Sequence, residues 1–252
     1  MISKSQISFI RSLQNKKFRE EHGKFIVEGT KMVFELLQSG YIVQSLFLTE
    51  NYLNQIKSAV KLPKYTEIHI VSETDLQKIS QLQTANEVLA VVNIPQSYQD
   101  GSLNSDAIKD KWTIMLDNVQ DPGNMGTIIR IADWFAIDTI ICSTTTVDMY
   151  NPKVVQSTMG SLFRVNVVKI DLEDFLHKVK LPVYGALLEG ENVYQQNISK
   201  AGILLMGNES KGISPELKKY INNPVMIPRF GQAESLNVGI ATAILCSEIR
   251  RG

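Results

Sequence analysis

The 252-residue chain is poor in several residue types that mark functional classes. Its two cysteines, Cys142 and Cys246, lie far apart, each in an apolar run. That excludes a disulfide framework and predicts buried free thiols. Its three histidines, His22, His69 and His177, have no neighbouring ligand at helical or hairpin spacing, so neither a metal site nor a Cys–His nucleophile is expected. No apolar run reaches the roughly 18–20 residues that span a bilayer. The opening MISKSQISFIRSLQNKK lacks the apolar block and cleavage site of a secretory signal. The expectation is a cytoplasmic protein with no membrane partner. An excess of charge is missing too, because 26 basic residues balance 26 acidic ones. Neutrality weighs against a nucleic-acid partner only if the charges are evenly spread. Here residues 1–24 carry Lys4, Arg11, Lys16, Lys17, Arg19 and Lys24 against Glu20 and Glu21, while 65–110 is acidic. What is present, 44% hydrophobic and 21% charged residues, is an ordinary globular composition with enough chain for one large domain or two modest ones.

Residues 1–94 read as a small α/β domain. KFIVEG (24–29) is a strand, TKMVFELLQSG (30–40) an amphipathic helix closed by Gly40, and further strands are expected at 45–49, 67–71 and 88–94. Ser72, followed by Glu73 and Asp75, starts a helix. The polar stretch 95–111 is the expected linker. From Trp112 onward, apolar strands at 113–117, 139–143, 182–188, 203–207 and 225–228 alternate with helical stretches at 126–135, 152–160, 171–179, 214–221 and 236–250. This alternation predicts a largely parallel sheet covered on both faces.

In such a sheet ligands sit where strands lead into helices. Three loops there are rich in Gly, Asn and Ser: DNVQDPGNMGTIIR (117–130), MGNESKGIS (206–214) and IPRFGQAESLNVG (227–239). In the first, Asp121-Pro122-Gly123 favours a tight turn and Gly126 a close backbone approach. Arg130, expected about one turn into the helix, has the planar donor fork that suits a phosphate; an ordinary surface arginine is the plainer alternative. The second loop has the Gly207–Gly212 spacing of a phosphate-binding loop, but Ile213 stands where the lysine belongs, which counts against a nucleotide hydrolase. Glu209 is placed either to face a ligand or to cap a backbone amide. The third loop brings Ser235, Leu236 and Asn237 to a helix start, where they orient a substrate or simply cap the helix.

Taken together, the three loops resemble the SpoU/TrmH family of RNA ribose 2′-O-methyltransferases, within the SPOUT class. Asn124 and Arg130 fit its first motif, Gly207, Glu209 and Gly212 its second, and Ile227-Pro228 with Ser235-Leu236-Asn237-Val238 its third. HGKFIVEGTKMVFELLQSG resembles the start of an L30e/L7Ae-like substrate-binding domain. Arg229 departs from the pattern, standing where Met is common after Ile-Pro, and is a candidate RNA contact.

The resemblance implies an L30e-like domain at 1–94, a linker at 95–111, and at 112–252 a mostly parallel sheet with a C-terminal trefoil knot. It implies a homodimer and S-adenosylmethionine as methyl donor, with Gly207, Ile227 and Leu236 lining its pocket and no metal. Catalysis would rest on Asn124, Arg130, Glu209, Ser235 and Asn237. The substrate would be RNA, with ribosomal RNA favoured over transfer RNA, which stays open. On this view the basic N-terminal segment, Arg130 and Arg229 face the RNA. The alternative is a non-catalytic RNA-binding or ribosome-assembly factor on the same scaffold, which predicts decayed motifs; here they are intact.

Overall fold

Two separate sheets organise the chain in the computed structural model, which describes residues 2–96, 98, 103, 106 and 108–251. By packing they belong to two units, residues 1–96 with 148–163, and residues 97–147 with 164–252. The expected linker 95–111 lies partly outside the described residues.

The first unit holds β1 (Lys24–Glu28), β2 (Val43–Leu48), β3 (Glu67–Ile70) and β4 (Val88–Asn93) in the order β1-β4-β2-β3. β4 runs antiparallel to both neighbours and β3 parallel to β2. The alternating apolar residues Ile26, Phe47, Leu89 and Val91 bury one face against Ile10, Leu13, Leu76 and Ile79 from the surrounding helices. Three helices beyond the sequence-based expectation occur here, Lys4–Ser12, Lys16–His22 and Glu50–Ala59. Lys4–Ser12 turns Ile7 and Ile10 inward and Glu50–Ala59 turns Tyr52, Leu53 and Ile56 inward, and side-chain caps mark the starts of all three. Ser3 and Gln6 form a capping box, Asn15 caps Lys17, and Thr49 caps Tyr52.

The segment 148–163, distant in sequence and inside the expected 112–252 region, packs in this first unit. Tyr150 lies on Phe25 with ring centroids 4.4 Å apart. Asp148 Oδ2 accepts from Arg19 Nε at 3.0 Å and Nη2 at 2.6 Å, while Arg19 Nη1 donates to the Leu13 and Gln14 carbonyls. Arg19, expected to face RNA, is instead 2% exposed, with its charge paired to Asp148 and both Nη1 donors on carbonyls inside the unit. Burial of a guanidinium is tolerated where its charge is paired and its donors find acceptors. Removing one partner strands the other charge, so Arg19→Ala is expected to cost about 3–5 kcal/mol, read as a lower urea midpoint.

The second unit holds β5 (Trp112–Leu116), β6 (Thr139–Cys142), β7 (Asn166–Lys169), β8 (Val183–Asn192), β9 (Gly202–Met206) and β10 (Asn223–Met226), ordered β10-β8-β9-β5-β6-β7 with every pair parallel. β5, β6 and β9 are buried along their whole length, as a sheet covered on both faces requires. β7 was not expected; its two valines are too short a signal for a strand. Cys142 and Cys246 are buried free thiols, each pushed up to about 12 by burial. Among the described residues, no helix is long and apolar enough to cross a membrane.

Candidate active site

The order of the second sheet reverses direction at β5: β6 and β7 lie to one side, β9, β8 and β10 to the other. Leu116 pairs with Met206, so β5 and β9 end level and the segments after them emerge side by side. The buried carboxylate of Asp117 accepts from the Ser214 amide at 2.7 Å, tying the exit of the second loop to the end of β5.

The second loop is a tight hairpin. Asn208 and Gly212 exchange backbone bonds of 3.0 and 2.9 Å, with Gly212 at a φ of 70°. Asn208 Oδ1 accepts from the Ser210 and Lys211 amides, and its Nδ2 donates to the Asn118 carbonyl at 2.7 Å. Asn118 itself adopts a φ of 57°, a left-handed conformation that asparagine tolerates better than most residues. Asp117, Asn118 and Asn208 were not singled out from the sequence; the only signal was an Asp-Asn pair and an Asn at strand ends, which any turn can carry.

Glu209, at the hairpin tip, turns toward the first loop. Its Oε1 accepts from the Asp121 amide and Asn124 Nδ2, both at 3.1 Å, and its Oε2 from the Gln120 amide at 3.2 Å. Burial opposes ionisation of this carboxylate, but hydrogen bonds from Asn124 and from the backbone amides of Glu209, Asp121 and Gln120 outweigh it and hold its pKa below the ordinary 4.5. Of the two sequence-level alternatives, the carboxylate takes the amide-binding one, and it also receives a side-chain amide.

Asn124 completes the connection. Because its Nδ2 is spent on Glu209, its Oδ1 accepts from Asn237 Nδ2 at 2.8 Å. Asn237 Oδ1 in turn accepts from the Gly239 amide at 2.9 Å and the Ile240 amide at 3.3 Å, capping the helix Val238–Arg251. A single relay, Glu209–Asn124–Asn237, therefore joins all three motif loops and fixes the orientation of both amide groups. Replacing Glu209 by Gln would aim an amide at these donors and free Asn124 to turn. The expected result is a kcat about 10–100-fold lower with a nearly unchanged unfolding midpoint. The same ordering in the wild type is complete above pH 4.5 and is lost as the pH falls through the lowered value.

The helix after the first loop starts earlier than expected, covering Pro122–Trp134 instead of 126–135. Asp121 caps the Asn124 amide at 2.8 Å and Pro122 occupies the first turn, so residues read as a turn begin the helix. Gly126 is thus a buried helical residue rather than part of a loop. Arg130 sits more than two turns in, about 9 Å along the axis from Asn124. It shares a face with Thr127, whose methyl lies beside Gly239 at the start of the last helix. Arg130 is exposed, and its guanidinium has no hydrogen bond or ion pair among the described residues. The last helix packs along this one, and Arg250 donates at 2.7 Å to the Phe135 and Ala136 carbonyls that follow it.

The cofactor candidates differ in setting. Gly207 is half-buried against its own hairpin, Ile227 half-buried, and Leu236 50% exposed. Between residues 227 and 236 no main-chain to main-chain bond occurs among the described residues. Apolar side chains beside free main-chain donors and acceptors are the chemistry that an adenosyl group needs, so these residues fit S-adenosylmethionine. Ser235 is exposed, with no side-chain partner among the described residues. No group of three or more His, Cys, Asp or Glu arranged to hold a metal occurs among them either.

The sequence profile of the SpoU rRNA Methylase family matches residues 111–247, and that of the MRM3-like substrate binding domain matches 4–90. The chain is 30% identical over 248 residues to the 23S rRNA (guanosine(2553)-2′-O)-methyltransferase RlmP of Bacillus subtilis, covering 95% of this chain and 94% of that protein. It superposes on a TrmH-family protein of Porphyromonas gingivalis with a TM-score of 0.89 and 39% identity, over 100% of this chain and 99% of the other. On the AdoMet-bound rRNA methyltransferase of Sinorhizobium meliloti the TM-score is 0.86 at 30% identity, over 100% and 97% of the two chains. With three motif loops joined at the ends of a parallel sheet, and a match to a substrate-binding domain earlier in the sequence, the chain belongs to the SpoU rRNA methylase family.

Proposed function

We propose that this protein transfers the methyl group of S-adenosylmethionine to a ribose 2′-hydroxyl of ribosomal RNA, in the cytoplasm and as a homodimer. The observation that carries this reading is the Glu209–Asn124–Asn237 relay, which draws the three loops into one site at the start of the helix that also carries the uncommitted Arg130. In this reading residues 1–94 bind the RNA, 95–111 link, and 112–252 form the knotted catalytic domain. Gly207, Ile227 and Leu236 would hold the cofactor through main-chain groups and apolar contact. When bound, S-adenosylmethionine supplies an electrophilic methyl on a sulfonium, and its leaving thioether is neutral.

What remains for the protein is to position a weakly acidic hydroxyl and provide for its proton. A guanidinium has no lone pair available to accept a proton in a protein, so the base is assigned elsewhere than Arg130. This arginine would clamp a phosphate beside the target ribose and polarise the 2′-oxygen, whose proton would be taken up by an oxygen of that phosphate. Ser235 orients the nucleophile. Asn124, Asn237 and Glu209 are positioning residues that keep the loops in register. The 2′-hydroxyl also lets such a site distinguish RNA from DNA.

Trp134, 84% exposed, and Ile240, 55% exposed, lie on the two mutually packed helices of this unit and support self-association through them. Mapping 2′-O-methyl groups across ribosomal and transfer RNA, with and without the gene, tests the reading. It expects one ribosomal site to vanish; loss of a transfer-RNA site, or of none, contradicts it. Sedimentation of the purified chain as a monomer would contradict the homodimer.

A further inference from the structure

The third motif loop carries a feature that neither the motif nor the relay uses. Phe230 is 97% exposed, the highest value among the large apolar side chains that stand clear of the described surface. It follows Arg229, which departs from the family pattern and is itself exposed. Arg229 Nη1 donates to the Ala233 carbonyl at 3.3 Å, closing a short stretch of chain from which Phe230 stands exposed. Two residues beyond Ala233 comes Ser235, and two further on Asn237, the residue bonded to Asn124. The exposed ring is therefore carried by the same loop that builds the reaction site.

We propose that Phe230 is a base-stacking residue for single-stranded RNA, taking the nucleotide next to the methylated one, with Arg229 supplying positive charge to the adjoining phosphate. This inference rests on the RNA-methylating reading above and adds a substrate subsite to it. A base offers a flat face for the phenyl ring and polar edges for the groups around it, and splayed single strands are recognised in this way. The loop supplies that mixture: one aromatic ring flanked by Arg229, Gln232, Glu234 and Ser235, all exposed. Arg229 brings a positive charge, complementary to an RNA phosphate, to the same loop that carries Ser235 and Asn237.

The test uses the full-length chain with unmodified ribosomal RNA made by transcription, and measures RNA affinity, methyl transfer, S-adenosylmethionine affinity by calorimetry, and sedimentation. Phe230→Ala should weaken RNA binding about tenfold, with cofactor affinity, sedimentation and unfolding midpoint unchanged. Phe230→Trp should restore binding and Phe230→Leu should not, since a ring is required rather than bulk. Equal RNA affinity of wild type and Phe230→Ala overturns the inference, as does a change confined to sedimentation, which would assign the ring to a contact between copies. A wild-type chain that binds RNA but transfers no methyl group refutes the functional reading instead, and its affinity relative to Phe230→Ala still decides the role of the ring.

Discussion

Replacing Arg130 by alanine is expected to lower kcat about 10²–10³-fold while leaving S-adenosylmethionine affinity and the unfolding midpoint unchanged. The separation follows from where the side chain stands. It is exposed on the third turn of its helix and bonded to nothing among the described residues, so the fold loses no contact when it is truncated. Helical side chains lean back toward the N-terminus, which directs the guanidinium toward the turn that carries Asn124 and Thr127. A group used only when RNA is present should show its effect only in turnover and in RNA binding. Arg130→Lys should recover little, because one ammonium cannot reproduce two parallel bonds to a phosphate. Turnover within a few-fold of wild type in Arg130→Ala would remove this residue from the mechanism.

The other large effect is expected at Gly207. A Cβ built there would lie 2.2 Å from the carbonyl carbon of Gly212, 2.3 Å from the Ile213 nitrogen and 2.6 Å from the Gly212 oxygen. All three are backbone atoms of the facing arm of the hairpin, so no side-chain rotation can relieve the overlap. Gly207→Ala must therefore open the hairpin. The Asn208–Gly212 pairing, the Asn208–Asn118 bond and the contacts of Glu209 would be lost together. The expected outcome is S-adenosylmethionine binding at least about 100-fold weaker and a stability loss of about 1–3 kcal/mol. Gly40→Ala, where the added carbon meets nothing within 4 Å, serves as the control and should change neither quantity. Calorimetry and thermal unfolding on the two variants separate a specific collapse of the loop from a general intolerance of substitution at glycine.

Much of this site could be read before the fold was known, and the reasons are local. Ser235-Leu236-Asn237 marks a helix start because capping residue types are dictated by the backbone they sit on, whereas Gly207 and Gly212, whose spacing reads as that of a phosphate-binding loop, belong to a hairpin closed by the Asn208–Gly212 bonds. Buried parallel strands such as β5 and β9 announce themselves as apolar runs. What escaped depends on tertiary partners. The destination of Glu209 could not be read, since a carboxylate in a loop binds whichever donors the neighbouring strand brings level with it. Arg19 looked like one more basic residue in a basic segment, yet its partner Asp148 is 129 positions away. The start of the helix at Pro122 was misread because Asp-Pro-Gly serves a turn and a helix N-terminus equally well.

The neutral overall charge also takes on a structural meaning. Arg19 is neutralised inside the first unit, and Lys16 lies 3.5 Å from Glu20 on the surface. The basic excess of the first 24 residues is therefore smaller at the surface than in the sequence, and the arginines that remain uncommitted or exposed near the motif loops, Arg130 and Arg229, carry more of the proposed contact with phosphate.

Methyl transfer to a ribose oxygen is tested most directly by the fate of a methyl label in the RNA. The purified chain is incubated with methyl-labelled S-adenosylmethionine and unmodified ribosomal RNA, and the RNA is then hydrolysed with alkali. Methylation of a 2′-oxygen blocks cleavage of the adjoining phosphodiester, so the account predicts that the label is recovered in a single alkali-resistant dinucleotide. Label released as a base-methylated mononucleotide, or no label in the RNA at all, would contradict it.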